Sequence, residues 1–114
     1  MNLGIRAGLD PVALAGLINA STGRCWPSAV NNPVPGVVEG APAGKGYAGG
    51  FAVELMAKDL RLALETAERA GAKLALGKRA RAVYEDVARD GECKGRDFSV
   101  VYRWLVDGKR EESD

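Results

Sequence analysis

Phe51-Ala52-Val53-Glu54-Leu55-Met56-Ala57-Lys58-Asp59-Leu60-Arg61-Leu62-Ala63-Leu64-Glu65-Thr66-Ala67-Glu68-Arg69-Ala70-Gly71 is the stretch on which the fold class turns. Nearly every residue in it is a good helix former, no proline interrupts it, and Gly71 supplies a favourable C′ residue. The spacing predicts a long helix over 51–70. Downstream, a second helix is expected from Leu74 to Ala88, with Leu76, Ala80, Val83, Tyr84 and Val87 on one side. Asp97 then caps a last short helix with Phe98, Val101, Tyr102 and Leu105 at helical spacing. Upstream, Asp10-Pro11 is a strong helix start with Leu14, Leu17 and Ile18 behind it, and the pattern should stop near Ser21-Thr22-Gly23. Met1 to Ala7 reads as the last turns of a helix closed by Gly8 and Leu9, so the chain is expected to begin in mid-element. No run of β-branched residues alternates with polar ones. The expectation is an all-α domain over 1–107, with one long irregular loop and a charged, frayed tail over 108–114.

That loop runs from Arg24 to Gly50 and is dense in Pro, Gly and Asn. So long an irregular stretch inside a small domain points to function or to an interface. With 114 residues, 46% apolar and 27% charged, the chain has one ordinary core. Its formal charge of +1 is dispersed, which argues against nucleic acid or an anionic membrane as partner, and no apolar run is long enough for a membrane span. Cys25 and Cys93 form no CxxC pair and read as free thiols in a reducing compartment. The sequence has no histidine, which removes His-based nucleophilic triads and His-bearing zinc sites. No metal site and no secretory or transit leader is read from the residues.

Few residues could carry chemistry. Gly40-Ala41-Pro42-Ala43-Gly44-Lys45-Gly46 superficially suggests a phosphate loop, but the motif needs glycine at position 39, where Glu39 stands, and Ser or Thr at position 46, where Gly46 stands. Asn19-Ala20-Ser21 matches a glycosylation acceptor and is assigned no role in a reducing compartment. Lys58 is more informative. At about 100° per residue it lies about 20° from Phe51, 60° from Leu55 and 40° from Leu62, which places it in what should be a buried apolar seam. Either its stem snorkels to water or it pairs with Glu54 one turn earlier, or its ammonium points into a cleft to bind an anionic group. Trp26 could wall a pocket or fill the core, and Arg24 could bind a carboxylate or cap the preceding helix.

Met1-Asn2-Leu3-Gly4-Ile5-Arg6, Leu9-Asp10-Pro11, Ser21-Thr22-Gly23-Arg24-Cys25-Trp26, Asn32-Pro33-Val34-Pro35-Gly36-Val37 and Leu55-Met56-Ala57-Lys58-Asp59-Leu60, in this order, resemble the helical C-terminal domain of the 3-hydroxyisobutyrate dehydrogenase family. The likeness runs from the first residue to Asp97-Phe98-Ser99, and GRCW and NPVPGV are closer to that dehydrogenase than to the tartronate semialdehyde and glyoxylate reductases. The resemblance implies a C-terminal domain of the 6-phosphogluconate-dehydrogenase-like type. It also implies NAD as cofactor, a small 3-hydroxy acid oxidised to its semialdehyde in valine breakdown, homo-oligomers joined through this domain, and a mitochondrial matrix address, with the cytoplasm as alternative. By the same resemblance Lys58 binds the cofactor, with Phe51 behind it, and Arg24 and Trp26 are weaker candidates for the cleft. No catalytic residue is assigned in this chain. The glycine-rich dinucleotide fingerprint and the family's catalytic lysine are not found, so the chain is expected to lack the NAD-binding domain and to be inactive alone. A non-catalytic oligomerisation module and a fragment of one of the related reductases are the alternatives. Glu54 departs from the family pattern and could draw Lys58 away from the cleft.

Overall fold

In a computed structural model, residues 1–108 are described, and the tail beyond Gly108 lies outside the described residues. Six α-helices follow in order: α1 (Asn2–Arg6), α2 (Pro11–Asn19), α3 (Trp26–Ala29), α4 (Val53–Arg69), α5 (Gly77–Arg89) and α6 (Val101–Val106). A 3-10 turn at Pro42–Lys45 interrupts the long loop, and another at Phe98–Val100 runs into α6. Among the described residues there is no strand, only an isolated antiparallel bridge between Ala52 and Asp97.

The helix ends follow local chemistry. Leu9 N–H donates to Gly4 O and Gly8 N–H to Ile5 O, the paired closure that a positive-φ glycine permits, and Ala72 and Gly71 close α4 in the same way on Ala67 and Glu68. Asp10 caps α2, its Oδ1 accepting from Ala13 N–H at 2.8 Å with Pro11 at the first helical position. The second long helix begins at Gly77, not at Leu74, because no side chain caps its start and residues 74–77 close a turn on themselves instead.

Val53, Val87, Cys93, Val100 and Trp104 are buried together with Ala43 and Tyr47, and Val83, Tyr84, Ala88 and Val101 pack around them. Fully burying each valine stabilises the fold by about 1.5–3 kcal/mol. Val100 in the 3-10 turn and Trp104 in the last helix are the buried residues here, while Leu105 is half exposed, so the apolar face is rotated from the one expected. The starting 3-10 turn shifts the phase, since it advances by about three residues per turn, not 3.6.

The loop of residues 24–50 is a structural part of this core. Asn31 and Asn32 are buried, and Asn32 is satisfied within the chain, donating from Nδ2 to Ser28 O and accepting at Oδ1 from Val34 N–H. Tyr47 sits at φ +64°, donates its hydroxyl to Pro33 O at 2.8 Å and lies under the Arg103 guanidinium. A non-glycine residue at positive φ costs about 1–3 kcal/mol, which the burial of its ring offsets.

Candidate functional site

Helix α4 carries apolar residues on two opposite sides. Val53 and Ala57 are buried, with Leu60 and Leu64 half-buried on the same stripe toward the core. About 180° away on α4 lie Leu55 and Leu62, both exposed, with Lys58 between them, while Phe51, also exposed, stands before the helix starts. The expected buried seam around Lys58 is thus an outward face of this chain. An apolar residue recurring at helical spacing signals burial without saying against what, and here the inner stripe alone satisfies the core.

The Lys58 ammonium is half exposed and lies 3.3 Å from the Asp59 carboxylate. Glu54 does not hold it: the Glu54 carboxylate accepts the Gly95 N–H at 2.9 and 3.1 Å, tying the start of α4 to the 93–97 turn. Glu54 therefore has a partner of its own.

A cleft of about 610 Å³ opens between α3 and the turn that precedes α4, with Trp26, Val30, Val38, Pro42 and Phe51 in its walls and Asn31 and Asp97 at its buried base. Phe51 and Trp26 are brought together here. Lys58 and Arg24 do not line it, and Arg24 is exposed beside it. The Phe51 ring meets Phe98 edge to face at 6.2 Å.

Asp97 organises this region, a role the sequence reading reduced to a helix cap. Its carboxylate accepts from Phe51 N–H at 2.9 Å, from Asn31 Nδ2 at 3.1 Å, and from both the N–H and the hydroxyl of Ser99. Burial pushes the Asp97 carboxyl up, but the hydrogen bonds from Ser99, Asn31 and Phe51 outweigh it and hold it below the ordinary carboxylate value. A side chain on Gly50, at φ +65°, would run into this carboxylate. The signal available in sequence was Asp97 two residues before Ser99, a common cap pattern, and nothing local linked it to Asn31 or Phe51 across 66 and 46 residues.

Comparison with known proteins now adds the family. Residues 1–105 match the family model described as "NAD-binding of NADP-dependent 3-hydroxyisobutyrate dehydrogenase". The chain belongs to this family. A probable mitochondrial 3-hydroxyisobutyrate dehydrogenase of Dictyostelium discoideum is 49% identical over 105 residues, covering 92% of this chain and 32% of the relative. The mitochondrial enzyme of Bos taurus is likewise 49% identical, over 31% of its length. Among solved structures, one titled Mycobacterium tuberculosis 3-hydroxyisobutyrate dehydrogenase with L-serine superposes with a TM-score of 0.84 at 38% identity, covering 90% of this chain and 35% of that one. The chain spans about a third of the length of the curated relatives it matches.

The family match corrects two expectations. The sequence points to the helical C-terminal domain of the 6-phosphogluconate-dehydrogenase-like type and to a chain lacking the NAD-binding domain; the matched unit is instead described as the NAD-binding one. The error has a physical source. A glycine turn between strand and helix is only one way to hold a dinucleotide, and this unit is described as NAD-binding although its described residues hold helices and no such strand. NAD is the family's cofactor, and the chain's donor set suits it: a half-exposed ammonium on an apolar stripe offers a cation for anionic groups and a flat surface for rings. Among the described residues no three His, Cys, Asp or Glu side chains are grouped to hold a metal ion, and no helix is long and apolar enough to cross a membrane.

Proposed function

We propose that this chain is one part of an NAD-dependent 3-hydroxyisobutyrate dehydrogenase, which oxidises 3-hydroxyisobutyrate to methylmalonate semialdehyde in valine breakdown. The observation that carries the reading is the outward stripe of α4, where Lys58 stands between exposed Leu55 and Leu62 with Glu54 engaged elsewhere. Lys58 holds an anionic group of the cofactor, and Phe51 supports the apolar surface beside it. Bound NAD supplies the hydride acceptor. The protein's share is to bind, to orient and to exclude water from that face. Arg24 and Trp26, on the neighbouring rim, are secondary candidates for contact with the hydroxy acid.

The same chain also serves as a subunit joint in a homo-oligomer. Helix α2 has no charged residue, and Val12 and Leu17 on it, with Leu3 on α1, are exposed. A helix apolar on all sides is one made to be covered. The mitochondrial names of the relatives support a matrix address, with the cytoplasm as alternative, which fractionation of the complete protein decides. Titration calorimetry of the chain with NAD tests the cofactor reading: wild type should bind measurably and Lys58→Ala about tenfold more weakly, the loss of one charge-assisted contact. Equal affinities would remove Lys58 from the site.

A further inference from the structure

The connection between α4 and α5 forms a groove that neither the core nor the Lys58 face uses. Gly77, at the start of α5, lets Leu64 and Leu74 meet: a Cβ there would stand 2.8 Å from a Leu64 methyl and 3.1 Å from the Leu74 Cβ. Ala67, Ala72 and Ala75 extend this aliphatic lining, and the groove holds about 740 Å³, within the range of small-molecule sites. Nothing in the chain covers it, since residues 70–76 are all exposed and Leu74 is 47% so.

The charge around this lining is lopsided. Between positions 69 and 84 the sequence places Arg69, Lys73, Lys78, Arg79 and Arg81 and no carboxylate. Lys73, Lys78 and Arg81 line the groove, with Glu65 and Glu68 on its α4 wall. Arg61 holds Glu65 at 3.2 Å and Glu85 holds Arg81 at 3.4 Å. Among the described residues this leaves Lys73 and Lys78, neither in an ion pair, against Glu68 alone. An ammonium head would meet the surplus of like charge, whereas a carboxylate completes the balance. The described lining carries leucine and alanine methyls and no aromatic ring, which suits a flexible aliphatic chain and selects no planar body. We propose that this groove binds a medium-chain aliphatic carboxylate, its head beside Lys73 and Lys78 and its chain along Leu64, Leu74 and the alanines. The groove contains none of Phe51, Leu55, Lys58 and Leu62, so its occupancy does not depend on the cofactor face.

The test titrates the 15N-labelled 114-residue chain with octanoate and, separately, with octanol and hexanoate. Saturable shifts are expected at the backbone amides of Ala72, Leu74, Ala75 and Lys78. Octanoate should bind about fivefold more tightly than octanol, the factor of one net charge contact at an open site. It should bind about fourfold more tightly than hexanoate, as expected when two added methylenes are each half removed from water. The double variant Lys73→Glu, Lys78→Glu changes exposed residues only and should lose the preference for octanoate while still binding octanol. Absence of saturable octanoate shifts at these amides, equal affinity for octanoate and octanol, or a preference that survives in the double variant overturns the proposal. The same shifts on raising protein concentration without any probe would give the groove to a second copy and overturn it too.

Discussion

The Asp97 carboxylate accepts the backbone N–H of Phe51 at 2.9 Å, and Phe98 N–H donates back to Phe51 O at 2.8 Å. Two residues 46 positions apart are thereby locked in register at the point where α4 begins. The orientation of α4, and with it the outward stripe bearing Lys58, is set by this clasp.

Asp97→Ala should therefore destabilise the chain by about 3–5 kcal/mol, since Phe51, Ser99 and Asn31 would all lose a buried charged acceptor. Urea unfolding followed by far-UV circular dichroism reads the midpoint. A shift equivalent to less than about 1 kcal/mol would show that the clasp is not what holds the loop to α4.

Acid should act through the same residue. The folded Asp97 carboxyl is held below its unfolded value, so its contribution is present above the ordinary carboxylate pKa and is lost as pH falls through the depressed folded value. In Asp97→Asn that part of the acid sensitivity should disappear, with stability already lowered at neutral pH. Parallel stability curves below about pH 4 for the two proteins would contradict this.

At the alkaline end the sign reverses. Burial pushes the Tyr47 hydroxyl from 10.0 up to about 12, against the opposing pull of Arg103. The protonated form is the one the fold prefers, so its contribution is full below pH 10 and is lost as pH rises toward 12. Burial also raises Tyr84, which contributes in the same direction. Tyr47→Phe should lose about 1 kcal/mol at pH 7, from the bond to Pro33 O, and should fall less steeply above pH 10. Thermal melts across that range measure it.

In an enzyme completed by grafting this chain onto the remaining two-thirds of a relative, Lys58→Ala should lower kcat/KM by at least about tenfold. Lys58→Arg should recover little of it, since a planar fork replaces a point charge. NADH absorbance follows the rate, and wild-type kinetics in the alanine variant would leave Lys58 a solvated surface residue.

Leu17→Glu, placing a charge on the uncharged helix α2, should convert a self-associated chain to monomer without loss of helix content. Sedimentation over a wide concentration range reads this, and an unchanged association state would exclude α2 from the joint.

What the sequence determined by itself was local. The closures at Gly8 and Gly71, the Asp10-Pro11 start and the two long helices depend on caps, proline geometry and propensity, all of which act within about one turn. The ordered motifs also carried the family, because they need no coordinates to be recognised. Tertiary structure alone decided which apolar stripe of α4 is inside, since Val53/Ala57 and Leu55/Leu62 share the same helical period and only the packing partner distinguishes them. It alone turned Asn31, Asn32 and Tyr47 from apparent loop residues into core, and joined Asp97 to Asn31 and Phe51. Those bonds span 46 to 66 residues, and no local pattern encodes a contact whose two halves meet only when the chain has closed.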